Sequence, residues 1–67
     1  MSVSKVRITV CGSQYILGTE DSEQYVLDLA KQLDEDMNNI LTECPTASVT
    51  SAAVLAAMDY LDRLNKA

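Results

Sequence analysis

The densest set of reactive side chains in the sequence is Asp34-Glu35-Asp36. Carboxylates that converge on one point can cage a divalent cation. Successive residues of a helix point about 100° apart, however, so these side chains fan out instead. Asp34 and Asp36 fall on opposite sides of an apolar stripe, and they read as charged rims around it. The other reactive groups are Cys11 and Cys44, far apart in the chain and without a C-x-x-C pairing. They read as small buried hydrophobes in a reducing compartment rather than as a disulfide scaffold or zinc ligands. The sequence contains no histidine, so a serine or cysteine nucleophile lacks its usual base. Gly12 and Gly18 are the only glycines, too few for a phosphate-binding loop. No catalytic residue, cofactor site or metal site is expected, and the chain reads as a non-enzyme.

The stripe between those rims is the strongest pattern in the chain. Val26, Ala30, Leu33, Met37, Ile40 and Cys44 recur at alternating spacings of four and three, which is an unbroken heptad seam. A seam requires a surface to bury it, and 67 residues supply little. A chain of this size buries only about 60% of the surface that its unfolded form exposes. Yet 48% of its residues are hydrophobic. The surplus apolar surface predicts association with a second copy.

Charge narrows the partners. The net charge is −5, and Lys5, Arg7, Lys31, Arg63 and Lys66 are scattered along the chain. Neither nucleic acid nor an anionic membrane is expected, because phosphate neutralisation needs clustered bases. No apolar run approaches the roughly 18 residues of a spanning helix, and residues 1–9 lack the apolar core of a secretory signal. The expected location is cytoplasmic.

Four elements follow from the patterning, in a single domain over residues 1–67: a hairpin over 3–19 and helices over 22–43 and 48–66. In the first strand Val6, Ile8 and Val10 alternate with Lys5, Arg7 and Thr9, as in a half-buried strand. Gly12-Ser13 reads as the turn, and Gln14 to Leu17 as the returning strand. Asp21 with Gln24 fits a capping box, with Ser22 as a rival cap. Asp28, Gln32, Glu35, Asn39 and Thr42 form the expected solvent face of the first helix. Cys44-Pro45 ends that helix, and Thr46 or Ser48 caps the next. In the second helix Ala53, Val54, Ala57, Met58, Tyr60, Leu61 and Leu64 make the main stripe, with Leu55 opposite. Met37 and Met58 are expected to pack in a core. The helical pattern runs to Ala67 without a glycine cap, as in a piece of a longer chain. The fold class is therefore α+β, ββαα. The oligomer interface is expected at Val26, Ala30, Leu33, Met37, Ile40, Val54, Leu55, Met58 and Leu61.

The run Val6-Arg7-Ile8-Thr9-Val10-Cys11-Gly12 followed by Tyr15-Ile16-Leu17 resembles the hairpin of the ZapA family of bacterial cell-division proteins. The helix opening Glu23-Gln24-Tyr25-Val26, with Ala30, Leu33-Asp34 and Met37 behind it, is similar too. So is Ser51-Ala52-Ala53-Val54-Leu55-Ala56-Ala57-Met58 with Asp62 and Leu64. The resemblance implies a non-enzymatic division protein with a dimeric ββα head. Its second helix would continue into a coiled coil that pairs dimers into tetramers. It implies FtsZ as partner, cross-linking of FtsZ filaments and a place in the midcell division ring. Several relatives carry a basic residue just after the hairpin glycine, taken to touch FtsZ; here Ser13 holds that position, a departure from the pattern, and Ser13 and Gln14 are the expected partner-binding residues. The alternative is a generic dimerisation or adaptor module for another cytosolic partner. A small enzyme or ligand-binding regulatory domain would require a convergent polar pocket, and the sequence offers none.

Overall fold

In the computed structural model, which describes residues 2–67, the chain runs β1 (Ser4–Val10), β2 (Ser13–Thr19), α1 (Glu23–Glu43) and α2 (Val49–Lys66). The order is the expected ββαα. The chain divides into two compact units, one reaching to Asp34 and the other beginning at Glu35, so α1 contributes to both.

The first unit starts from a hairpin whose strands pair antiparallel from Ser4↔Thr19 to Val10↔Ser13. The turn is Cys11-Gly12, one residue earlier than the expected Gly12-Ser13. Both residues have positive φ, 49° and 82°. That is the signature of a type I′ turn, whose twist matches that of the strands it joins and whose second position favours glycine. Placing Gly12 second lets all seven residues of each strand pair. The alternation of β1 is realised: Val6, Ile8 and Val10 are buried, while Lys5, Arg7 and Thr9 are exposed. The register puts Leu17 beside Val6 and Tyr15 beside Ile8 on that inner face. Val26 and Ala30 of α1 complete the buried apolar set of the unit.

Ser22, not Asp21, caps α1: its hydroxyl accepts a hydrogen bond from the Tyr25 backbone N–H at 3.2 Å. The Asp21 N–H instead donates to the Thr19 hydroxyl at 3.0 Å. Gln24, the other half of the expected capping box, turns forward and donates to Asp28 at 2.8 Å. The predicted solvent face of α1 is exposed at Asp28, Gln32, Glu35, Asn39 and Thr42.

In the second unit, Ser48 caps α2, its hydroxyl accepting from the Ser51 N–H at 3.0 Å. Replacing such a cap by alanine costs about 1 kcal/mol. Ser48→Ala should therefore lower the melting temperature by roughly 4–8 °C, the shift of a domain this size per kcal/mol. Circular dichroism melts would check it, and an unchanged midpoint would remove Ser48 from that role. The covered face of α2 is Ala52 and Ala56 with half-buried Tyr60, and not the expected stripe through Ala53, Val54 and Ala57. Small side chains let a helix come close to its neighbour, so Ala52 and Ala56 face inward while Val54, Leu55 and Met58 are turned outward. Met37 is buried as expected, but Met58 is exposed. Cys11 is half-buried and Cys44 exposed, both as free thiols, so only Cys11 approaches the expected burial.

Candidate functional site

The acidic run resolves into separate tasks. Asp34 Oδ1 accepts a hydrogen bond from the Cys11 backbone N–H at 2.7 Å, tying the end of the first unit's helical segment to the hairpin turn. Asp36 Oδ2 accepts from the Tyr60 hydroxyl at 2.6 Å, tying α1 to α2 in the second unit. Glu35, between them, is exposed. The carboxylates do not converge, and among the described residues no group of three or more Cys, Asp or Glu side chains could hold a metal ion. Instead of rimming a stripe, Asp34 and Asp36 each join two elements.

Burial raises the Tyr60 phenol to about 12, aided by its hydrogen bond to Asp36 and by that carboxylate's charge. Folding thus holds the Tyr60 proton more tightly than the unfolded chain does. The stability tied to this proton is present below about pH 10, the ordinary tyrosine value, and is lost as pH rises towards 12. Denaturant titrations over that range should show a fall in stability that Tyr60→Phe reduces. An identical alkaline profile for the variant would exclude Tyr60 as the source.

Beside this contact lies an open groove of about 310 Å³, lined by Asn39 and Ile40 of α1 and by Leu55, Asp59 and Arg63 of α2 among others. Arg63 is already held by Asp59 at 2.9 Å, and Lys66 by Asp62 at 3.1 Å, both one helical turn apart. Exposed pairs of this kind contribute only a few tenths of a kcal/mol.

The dominant feature of α2 is what it leaves uncovered. Val54, Met58, Leu61 and Leu64 are 57%, 61%, 54% and 72% exposed. Their spacing of four, three and three keeps them on one stripe, roughly opposite Ala52 and Ala56. The first unit has its own open apolar set, with Tyr15 and Leu17 of β2 and Tyr25 and Leu29 of α1 all exposed.

The residues expected at an oligomer interface fall into two groups. Val26, Ala30 and Met37 are buried within the chain itself, and Leu33 and Ile40 are half-buried. Val54, Leu55, Met58 and Leu61 are exposed. Ser13 and Gln14, the expected partner contacts, are exposed at the start of β2, on opposite faces of the hairpin. Sequence reasoning missed the roles of Asp34, Asp36 and Tyr60. The available signal was the position of Asp34 and Asp36 beside the seam rather than on the solvent face.

The fold and this open surface define a small ββαα module in which Asp34, Asp36 and Tyr60 join its elements and the large apolar side chains of one α2 face are left uncovered. A family model described as cell division protein ZapA matches residues 6–67, and the chain belongs to that family. It is also 29% identical over 62 residues to a protein of Halalkalibacterium halodurans named cell division protein ZapA, covering 92% of this chain and 68% of that relative. No solved structure matches at a comparable level. Family membership gives the chain a division-related role. Among the described residues no helix is long and apolar enough to cross a membrane.

Proposed function

We propose that the chain is the self-associating head of a division-ring protein that cross-links FtsZ filaments. The observation that carries this reading is the uncovered stripe Val54, Met58, Leu61 and Leu64. Burying a side chain of this size contributes about 1.5–3 kcal/mol, so a surface of several such residues strongly favours a second copy. Their spacing of four, three and three keeps them on one helix face, which suits a helix–helix contact. The open apolar set of the first unit adds to the area available for pairing.

Association explains how so small a module would act on a filament. A symmetric pair presents two identical binding surfaces. Once one head is bound, the second binds intramolecularly, and avidity exceeds single-site affinity by roughly 10² to 10⁴. Bivalency of this kind converts a weak contact into a cross-link. In a longer chain, continuation of α2 into a coiled coil would join pairs into tetramers, as the family resemblance implies.

Two measurements test the proposal. Light scattering should give a mass of at least twice 7.3 kDa at micromolar concentration. Polymerised FtsZ should carry the full-length protein into the pellet and form bundles in its presence. A monomer throughout, with filaments unchanged, would overturn the reading.

A further inference from the structure

The charge of this acidic chain is unevenly divided. Residues 1–19 contain Lys5 and Arg7 and no acid, a charge of +2, whereas residues 20–67 carry −7, giving −5 in all. Alternation along β1 puts Lys5 and Arg7 on the face opposite the buried Val6, Ile8 and Val10. Neither base has a salt bridge among the described residues, whereas Arg63 and Lys66 are each neutralised by an aspartate.

Two large apolar side chains stand on the same outer face. Ile16 is the register partner of Arg7 and is 65% exposed. Val3 is 64% exposed. A Cβ built at Gly18, the partner of Lys5, would come within 3.3 Å of Val3 Cγ1, so Val3 leans across the strand pair where Gly18 leaves room. The result is a patch in which two unneutralised cations lie between two exposed hydrophobes.

We infer that the outer face of the hairpin is a docking surface for an acidic protein segment carrying a large apolar side chain, seated on Val3, Lys5, Arg7 and Ile16. Charge complementarity selects this occupant. A second copy docked here would bring Lys5 and Arg7 against their own counterparts, and facing like charges are destabilising. Edge-strand bases do discourage unwanted strand pairing. That protective role does not call for Val3 and Ile16 to be exposed beside them. The face is opposite the one that bears Tyr15 and Leu17, so a partner held here leaves the apolar surface assigned to self-association free. The inference deepens the reading above by giving the filament contact a place and a chemistry.

The test uses two designed probes, a short peptide alternating aspartate with leucine and its lysine–leucine counterpart. In amide NMR titrations the acidic peptide should shift resonances of residues 3–9 and 14–18 and saturate. Added salt should weaken it, because the contact is exposed to screening. Lys5→Glu with Arg7→Glu should weaken it at least tenfold while leaving the circular dichroism spectrum unchanged. Lys5→Gln with Arg7→Gln, which removes charge without reversing it, should fall between. Equal binding of both peptides, or shifts confined to α2, would overturn the inference. FtsZ pelleting separates this proposal from the one it rests on. If the wild-type protein pellets and the charge-reversed variant pellets equally, the docking surface is wrong and the filament reading stands. If the wild type does not pellet but the acidic peptide still binds at Lys5 and Arg7, the filament reading falls and the docking surface stands.

Discussion

Leu61→Asp should weaken self-association by more than 100-fold while leaving the monomer folded. Leu61 is about half exposed within its own chain, so the substitution removes little internal packing. In a pair that buries the α2 stripe, the lost side chain contributes about 1.5–3 kcal/mol. The introduced carboxylate must also be desolvated without a partner, which costs several kcal/mol more. Even 3 kcal/mol exceeds a factor of 100 in dissociation constant. Sedimentation velocity across a concentration series would check this, with circular dichroism to confirm that helix content is kept. If the variant associates like the wild type, the α2 stripe is not the contact. A change in the seam of α1 would be a poorer test. Leu33 is already half-buried in the single chain, so Leu33→Asp would strain the fold and the interface together.

That contrast shows where the sequence was legible and where it was not. The hairpin, both helices and the Ser48 cap could be read because each rests on local signals: period-two alternation, a heptad spacing, a proline stop, a hydroxyl ahead of a helix. The surplus of apolar residues was legible for the same reason. Its division between core and surface was not. The α1 seam looked like an interface, yet Val26, Ala30 and Met37 are covered without any partner. In α2 the residues that turn inward are Ala52 and Ala56, whereas the apolar pattern pointed to the stripe through Ala53, Val54 and Ala57. Which face of a helix that carries the unbroken apolar run Ala52 to Met58 points inward depends on how closely another element can approach, and that is a tertiary property. The turn shifted by one residue on similar grounds. Gly12 serves a type I′ or a type II′ turn depending on whether it stands second or first, and only the pairing of whole strands decides between them.

The second large effect concerns that turn. Cys11 is a non-glycine residue at positive φ, a conformation that costs roughly 1–2 kcal/mol for an L-residue. The Asp34 carboxylate offsets the strain by accepting the Cys11 N–H at 2.7 Å, a part-buried contact spanning 23 residues of sequence. A hydrogen bond to a charged group contributes about 1.5–3 kcal/mol. A domain of this size has total stability on the order of 5 kcal/mol, so Asp34→Ala should remove a large fraction of it. The expected fall in melting temperature is about 10 °C. Asp34→Asn, which keeps an acceptor without the charge, should lose about half as much. Relieving the strain at its source should partly rescue the loss: Cys11→Asn places at the first central position a residue that type I′ turns favour. Thermal melts of the single and double variants would settle the matter. If Asp34→Ala melts like the wild type, the hairpin turn stands on its own backbone preference. If it is destabilised and Cys11→Asn restores nothing, the carboxylate holds the hairpin and α1 together rather than supporting the turn.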